Sequence, residues 1–210
     1  MKHTSTTLLL LTALALVMLV KTMEPVSALT WSPSENRLTT DPYSDNAPAV
    51  TETSDQKIWV IWQKRVLMGT SLFCQTSSNQ GSTWSEEKNL TNVPVMYADT
   101  GACMTQLSDG TLFLIWSSNR IFGDYELFYK TSSNLGVTWS NDIQLTSSPG
   151  DDARPSIVQL SNGTLFLVWT STRIGDSELF YKTRNGPFWS VEDHRLTFDP
   201  ALDEGGSAIQ

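Results

Sequence analysis

From about residue 30 onward, hydrophobic and polar residues alternate along the chain with a period of two. In the clearest stretch this alternation predicts strands at 155–160, 164–169, 178–183 and 189–197, separated by polar turns. A period of two places successive side chains on opposite faces of a sheet, and residues 29–210 show no helical periodicity. The pattern therefore predicts an all-β protein with antiparallel neighbouring strands.

The predicted strands recur as a repeating unit. Residues 107–116, Leu-Ser-Asp-Gly-Thr-Leu-Phe-Leu-Ile-Trp, return as 160–169, Leu-Ser-Asn-Gly-Thr-Leu-Phe-Leu-Val-Trp. Their Asp-Gly and Asn-Gly pairs are strong signals for tight hairpin turns. Tryptophans mark successive units at spacings of 53, 55 and 50 residues: Trp31, Trp84, Trp139 and Trp189. Four strands in a unit of this length predict a β-propeller of four-stranded antiparallel blades.

The predicted strands amount to about three blades plus partial flanking blades, which is an incomplete ring. Residues 31–39 match only the last strand of a blade, and residues 205–210 match only the first. Native proteins normally cover or block unpaired sheet edges. We therefore expect either that the sequence is part of a longer product, truncated at its carboxyl end, or that two open arcs associate through their edges.

The amino terminus has the pattern of a secretory signal peptide. Lys2 and His3 precede an uncharged apolar run at 8–20, and a small-residue sequence ends at Ala28. The run is shorter than the roughly 20 apolar residues that span a bilayer. We therefore expect a cleaved signal at 1–28, a propeller domain at 29–210, and secretion to the extracellular space or the cell surface. An uncleaved membrane anchor is the alternative.

Composition narrows the classes of partner and cofactor. The chain carries 14 Lys and Arg against 22 Asp and Glu, a net charge of −8. Such a chain should repel nucleic acid and anionic lipid, since both are bound through clustered basic residues. Eight tryptophans and five tyrosines are compatible with contact to a glycan or a cell-surface glycoconjugate. Cys74 and Cys103 are either free thiols or a pair, and no His or Cys cluster suggests a metal or another cofactor.

Two segments resemble the Asp-box, or BNR repeat, of the sialidase superfamily. They read Ser-Ser-Asn-Gln-Gly-Ser-Thr-Trp-Ser at 77–85 and Ser-Ser-Asn-Leu-Gly-Val-Thr-Trp-Ser at 132–140, against the family pattern Ser-x-Asp-x-Gly-x-Thr-Trp. Asn79 and Asn134 replace the aspartate, and a third copy at 183–189 keeps only Asn-Gly and Trp. The resemblance covers residues 31–210 and implies a propeller in which the box is a structural hairpin device.

Strand direction sorts the remaining polar residues by face. In each blade, the segment before the first strand and the loop after the second strand lie on one rim, and the Asp-box turns lie on the other. Ligand sites of the resembled family lie on the first of these rims. The candidate ligand-binding residues on it are Arg120, Asp124, Arg173, Asp176, Asp99 and Asp152.

Each of these candidates also has a structural interpretation. Arg120 and Arg173 occupy equivalent repeat positions, so they could form repeated salt bridges to nearby aspartates rather than bind a ligand. Asp99 and Asp152 could instead be paired glycosidase carboxylates, whose separation decides between retention and inversion. A catalytic group is expected once, however, and these residues recur in successive units.

Two Glu and Tyr pairs have the residue types of a base and a nucleophile. They are Glu126 with Tyr129, and Glu178 with Tyr181. Residues three apart on a strand point to opposite faces of the sheet, so the members of each pair should not meet. We expect both tyrosines to pack within the blades.

The sequence thus favours an exported propeller that recognises a glycan or a surface partner. The resemblance also implies an exo-α-sialidase or a related glycoside hydrolase, in which three arginines would grip the substrate carboxylate. The Phe/Tyr-Arg-Ile-Pro motif that supplies one of those arginines is absent, and Arg154-Pro155 is its nearest match. A purely architectural module in a larger surface protein is a third interpretation.

Overall fold

A computed structural model describes residues 35–40, 42–93, 96–121 and 123–198. The chain divides into two compact units, Met1–Thr40 and Asp41–Gln210. Residues 35–40, the described part of the first unit, contain no strand. The expected signal peptide at 1–28 and the predicted strand at 205–210 lie outside the described residues.

The second unit contains three antiparallel sheets that follow one another along the chain, and each sheet is one blade. Blade 1 consists of β1 (Asp45–Glu52), β2 (Ile58–Val66), β3 (Gly69–Ser77) and β4 (Lys88–Asn89). Blade 2 consists of β5 (Asp99–Gln106), β6 (Leu112–Ser118), β7 (Glu126–Ser132) and β8 (Ile143–Gln144). Blade 3 consists of β9 (Asp152–Gln159), β10 (Leu165–Ile174), β11 (Asp176–Asn185), β12 (Phe188–Trp189) and β13 (His194–Arg195).

The strand order matches the predicted architecture. In blades 1 and 2 the four strands lie side by side in chain order, and in blade 3 both β12 and β13 pair with β11 at the fourth position. The first strands of neighbouring blades, β1, β5 and β9, lie next to one another. The predicted all-β propeller of four-stranded antiparallel blades is confirmed.

Two details of blade 3 differ from the strand prediction. The predicted loop at 173–177 is a tight hairpin, because β10 and β11 continue their ladder to the pair Ile174 and Asp176 around Gly175, whose φ is 101°. The predicted strand at 189–197 is reduced to two short pairings. The prediction followed the alternation of apolar residues, which ends at the charged and polar residues of both segments. The backbone N–H and C=O groups pair independently of that alternation, so the observed strand limits differ from the predicted ones.

The hairpins between first and second strands follow from their turn residues. In blade 3, Gly163 takes a φ of 84° and donates its backbone N–H to the Leu160 carbonyl at 2.8 Å. The Asn162 side chain accepts the Thr164 N–H at 3.0 Å. Asp109 accepts the Thr111 N–H in the same way in blade 2, so the repeated sequence produces a repeated turn.

The core lies between blades. Trp59, Ile61 and Leu72 of blade 1 pack against Leu114 and Trp116 of blade 2. Blade 2 presents its other face to blade 3 through a second cluster: Phe113, Ile115, Leu127, Ile157, Leu165, Leu167, Trp169 and Phe180. Every residue of β6 is buried, since both faces of this central strand are covered. Burying one such aliphatic or aromatic side chain contributes roughly 1.5–3 kcal/mol.

The two cysteines are free thiols on different sides of blade 2. Cys74 is buried in the cluster between blades 1 and 2, and Cys103 packs against the cluster between blades 2 and 3. Burial raises the pKa of the Cys74 thiol to about 11 and also raises the pKa of Cys103. The thiol form of each cysteine is therefore favoured, which suits an inert core residue.

In the Asp-box turns, the asparagine that replaces the family's aspartate forms side-chain hydrogen bonds within the turn. Asn79 accepts the Thr83 N–H at 2.9 Å, and its amide nitrogen donates to the Thr83 hydroxyl at 2.8 Å. The Ser77 hydroxyl accepts the Gly81 N–H at 2.9 Å. The second box repeats these bonds around Asn134. Both boxes are closed internally, as expected of a structural device.

The second Asp-box also joins two blades. Gly136, at a φ of 80°, packs against the ring of Trp59 in blade 1, and Trp139 meets the same ring edge-on at 6.4 Å. Lys88 of blade 1 donates to the Gly136 carbonyl at 3.4 Å. Glycine is required here for close approach as well as for φ.

We predict that Gly136→Ala destabilises the protein more than Gly81→Ala. Both positions have positive φ, so each substitution costs about 1 kcal/mol or more from backbone strain. A Cβ at Gly136 would overlap the buried Trp59 ring, whereas one at Gly81 would lie 3.7 Å from Trp84, an ordinary contact. Overpacking should add roughly 1–3 kcal/mol at Gly136 alone. Urea unfolding of the two variants measures the difference, and equal losses would contradict the interblade role.

Candidate ligand-binding face

The six candidate residues lie at one end of the strands, which we call the ligand-facing rim. It is formed by the starts of the first strands, the ends of the second strands and the starts of the third strands. Asp99 and Asp152 open β5 and β9, and Arg120 and Arg173 lie at or beyond the ends of β6 and β10. Asp124 lies two residues before β7, and Asp176 opens β11. The Asp-box turns follow the opposite ends of the third strands.

Arg120 is the centre of a bonded cluster within blade 2. Its Nη2 donates to both oxygens of Asp99 at 2.9 and 2.7 Å, and its Nη1 donates to Asp142 at 2.7 Å. Its Nε donates to the Ser118 hydroxyl at 2.9 Å. The guanidinium lies 4.9 Å from the ring centroid of Phe128, within cation–π range. The cluster ties the first strand of the blade to the connection between its last two strands.

Blade 3 repeats this arrangement almost atom for atom. Arg173 donates to both oxygens of Asp152 at 2.9 and 2.8 Å, to Asp193 at 2.5 Å and to Ser171 at 2.8 Å. Its guanidinium lies 4.4 Å from the ring centroid of Phe180. We call these two arrangements the arginine clamps. They are the repeated salt bridges that the sequence offered as the alternative to ligand binding, and they involve Asp99 and Asp152, the first residues of β5 and β9.

Burial makes the clamps different from surface ion pairs. Asp99 and Asp152 are 0% exposed, and the two arginine side chains are 16% and 14% exposed. Burial lowers the pKa of Arg120, but hydrogen bonds and charge from Asp99 and Asp142 outweigh it, so the pKa lies above its ordinary value. The guanidinium of Arg120 therefore stays charged, and Asp99 and Asp152 are each bonded to an arginine within their own blade.

Asp124 and Asp176 lie outside the clamps. Both side chains are exposed, and each is next to a glycine of positive φ, Gly123 or Gly175, that shapes the hairpin tip. Of the six candidate residues, these two are therefore the ones whose side chains are presented to solvent. Their role in ligand binding stays a prediction.

Blade 1 departs from the repeat at this rim. Val66 stands where the other blades have the clamp arginine, and Asp45 accepts a hydrogen bond from the Trp62 indole at 3.1 Å instead. Lys64 pairs with Glu87 at 2.7 Å. The rim is thus not a uniform ring of equivalent groups.

A bulge near the start of each first strand brings another residue to the rim. Ala47, Gly101 and Arg154 occupy the bulge in blades 1, 2 and 3 at φ values of 47°, 60° and 55°, and the pairing with the second strand is interrupted there. Arg154 is exposed, and its backbone N–H donates to the Ser117 hydroxyl of blade 2 at 3.2 Å.

Arg154 is the functional candidate that sequence reasoning undervalued. The pattern marked it only as a partial motif match, because nothing in an arginine signals a left-handed backbone. Non-glycine residues with positive φ are costly and cluster at functional sites. The bulge therefore adds Arg154 to the candidates on this rim.

The tyrosines of the Glu and Tyr pairs pack within and between blades, as expected. Tyr129 stacks on Phe113 at 5.0 Å, and Tyr181 stacks on Phe166 at 5.2 Å. Glu126 and Glu178 are buried in the sheet. Neither pair has the geometry of a nucleophile with its base.

The described residues show neither a metal site nor a membrane-spanning helix. Within them, no group of three or more His, Cys, Asp or Glu side chains is arranged to hold a metal ion. The same ranges contain no helix of sufficient length and apolarity to cross a membrane.

We predict that Asp152→Asn is strongly destabilising and that Asp176→Asn is not. Removing the Asp152 charge leaves Arg173 with an incomplete set of partners in a buried site, a change that costs roughly 3–5 kcal/mol. Asp176 is exposed at the same end of the same blade, so its neutralisation should change the unfolding free energy by less than about 0.5 kcal/mol. Denaturant unfolding compares them. Similar small effects would mean that the clamp does not stabilise the blade.

Comparison with known structures gives several similar folds. A protein of unknown function from Dyadobacter fermentans superposes with a TM-score of 0.64 at 14% identity, over 77% of this chain and 57% of that one. The NanB sialidase from Streptococcus pneumoniae gives 0.60 at 11% identity, over 84% and 49%. An α-L-arabinanase from Penicillium chrysogenum gives 0.57 at 15% identity, over 71% and 49%. At such identities the likeness concerns the fold, and this chain spans less than two thirds of each.

Sequence comparison identifies the family. No curated protein matches the chain significantly. The BNR repeat-like domain matches residues 18–189, which is most of the sequence and includes all three blades up to Trp189. Together with the repeated box turns and the four-stranded blades, this match shows that the chain belongs to the BNR repeat-like domain family.

Proposed function

We propose that this chain is an exported glycan-binding propeller that uses its ligand-facing rim for recognition. The family match and the likeness to a sialidase and an arabinanase support a carbohydrate partner. The signal-peptide pattern at 1–28 supports export. Amino-terminal sequencing of the secreted protein tests export, and a product that still begins at Met1 would contradict cleavage.

The observation that carries recognition over catalysis is the occupancy of the two candidate catalytic carboxylates. Asp99 and Asp152 are fully buried, and each binds an arginine through both oxygens. A general acid must reach the glycosidic oxygen of the substrate. A carboxylate that is fully buried, with both of its oxygens bonded to the Nη2 of an arginine, is not positioned to do so.

Arg154 is the proposed contact to the glycan. It is exposed on the rim, and its backbone is fixed by the bulge and by the bond to Ser117. A guanidinium forms two parallel hydrogen bonds to a carboxylate, so Arg154 is suited to an acidic sugar. Asp124 and Asp176 are exposed on neighbouring hairpin tips, where carboxylates can accept hydrogen bonds from sugar hydroxyls.

A second candidate function is that of an exo-α-sialidase or a related glycoside hydrolase. It is favoured by the structural likeness to proteins named as a sialidase and an arabinanase. The catalytic groups would then be residues other than the two clamp aspartates.

We predict that the purified chain is retained on an array of acidic glycans and that Arg154→Gln weakens retention at least tenfold, about the effect of losing one charged bidentate contact. The matched control is Arg184→Gln, which removes the same charge at the opposite end of β11, where Arg184 donates to the Gly186 carbonyl. This control should bind like the unmodified chain.

Turnover separates the two functions. Incubation of the chain with fluorogenic sialosides and arabinofuranosides should release no fluorophore. Release that rises with protein concentration would overturn recognition as the sole activity. Equal loss of glycan retention in the Arg154 and Arg184 variants would remove the assignment of Arg154 without deciding between the functions.

A further inference from the structure

Glu126 is a buried acid at the joint between blades 2 and 3. It opens β7 and is 6% exposed. Its Oε2 accepts a hydrogen bond from the Thr146 hydroxyl at 2.6 Å, and that hydroxyl also accepts the Leu127 N–H at 2.9 Å. Thr146 belongs to the connection that leads from β8 to β9, the first strand of blade 3. Glu126 therefore bonds to the segment that carries one blade into the next.

The equivalent positions in the other blades show what Glu126 lacks. Blade 1 has Ser71 there, which brings no charge. Blade 3 has Glu178, which forms an ion pair with Arg195 of β13. In blade 2 the residue that pairs with Phe128, as Arg195 pairs with Phe180, is Gln144. Glu126 is thus equivalent to Glu178 of blade 3, but a neutral glutamine stands in place of the arginine that pairs with Glu178.

The charges around Glu126 do not compensate for this loss. Asp152 and Arg173 face it from β9 and β10, and Asp124 precedes it on its own blade. Arg173 is already shared between Asp152 and Asp193 in its clamp. An ionised Glu126 would therefore be an additional negative charge in a region where the clamp charges are balanced. Burial, opposed by the Thr146 bond and reinforced by Asp152 and Asp124, raises the pKa of Glu126 to about 7.

We propose that Glu126 is a pH-sensitive latch that holds blade 3 to blade 2 when it is protonated and loosens their joint when it ionises. The connection at 145–152 is the element that responds. Three hydrogen bonds to Tyr125 and Glu126 hold it in place. The Thr146 hydroxyl donates to Glu126, and the Tyr125 N–H donates to the Asp151 carboxylate at 2.9 Å. The Asp152 N–H donates to the Tyr125 carbonyl at 2.6 Å.

The latch lies beside a polar groove of about 460 Å³ between the two blades. Thr146 and Ser148 line one wall, and Arg173, Lys182 and Asp193 line the other. The Thr146 hydroxyl bonds an ionised carboxylate more strongly than a neutral one, but the burial of the charge, reinforced by Asp152, outweighs this bond and favours an opening of the joint that exposes Glu126 to water. The latch therefore links solution pH to the position of the segment that enters the ligand-facing rim.

The sign of the pH effect follows from proton binding. The pKa of Glu126 is higher in the folded chain than its ordinary value of 4.5, so the folded state binds more protons between those two values. Stability from this group is fully present below about pH 4.5 and is lost as pH rises through about 7. The carboxyl of Glu178 differs, because the Thr197 bond and Arg195 lower its pKa.

The test compares thermal unfolding midpoints from pH 5 to pH 8 in four proteins. The midpoint of the unmodified chain should fall across this interval. Glu126→Gln should flatten the fall because it removes the ionising group. Gln144→Arg should flatten it while keeping Glu126, because it restores the partner present in blade 3. Histidines also change charge in this pH range, so His194→Gln is the control and should keep the fall.

Hydrogen exchange locates the effect. After correction for the intrinsic rate, the backbone amides of 145–152 should exchange at least tenfold faster at pH 8 than at pH 5 in the unmodified chain, and at equal rates in Glu126→Gln. A midpoint that is flat in the unmodified chain, or a fall that persists in both Glu126→Gln and Gln144→Arg, would overturn the latch. If Glu126→Gln fails to fold, Gln144→Arg alone decides.

Discussion

The rest of this structure depends on the neutralisation of a carboxylate that each of two blades buries at the start of its first strand. Asp99 and Asp152 are fully buried where the strands of a blade reach the ligand-facing rim. An isolated charge there would cost several kcal/mol, so a guanidinium must accompany it. The same guanidinium reaches Asp142 or Asp193, and it thereby joins the first strand to the outer part of the blade.

Charge balance also accounts for the differences between blades. Lys130 and Lys182 add a second cation to the outer aspartate of each clamp, at 3.5 and 2.7 Å. Two acidic and two basic groups are then present in each buried cluster. Blade 1 lacks the clamp arginine, and its Asp45 is half-buried and bonded to a neutral indole instead. Glu126 brings a further carboxyl group beside the clamp of blade 3, and its burial, reinforced by the charge of Asp152, makes its ionisation unfavourable.

Much of the fold could be predicted from the sequence because it is repeated and local. Period-two alternation fixes the strands, Asn-Gly and Asp-Gly fix the turns, and the spacing of tryptophans fixes the unit. Strand direction then places Arg173 and the Asp-box turns at opposite ends of the blade without any knowledge of side-chain contacts.

The site was less predictable because its partners come from positions that the repeat does not mark. Asp142 lies three residues after Trp139, whereas Asp193 lies four residues after Trp189, so alignment of the units does not pair them. Arg154 owes its exposure to a bulge whose left-handed backbone no arginine would suggest. The unfavourable ionisation of Glu126 depends on how deeply its side chain is buried and on the absence of a basic residue at Gln144. The alternation of polar and apolar residues does not measure that burial.

A double-mutant cycle between Arg120 and Asp99 tests the central claim most directly. Unfolding free energies of Arg120→Gln, Asp99→Asn and the double variant give the coupling between the two side chains. A buried clamp, in which both oxygens of Asp99 accept from Arg120, predicts a coupling energy of about 2 kcal/mol or more, with each single variant clearly destabilised. Two mild single variants with a coupling near zero would show that these residues are not joined, and the rim would have to be reconsidered as a set of free ligand-binding groups.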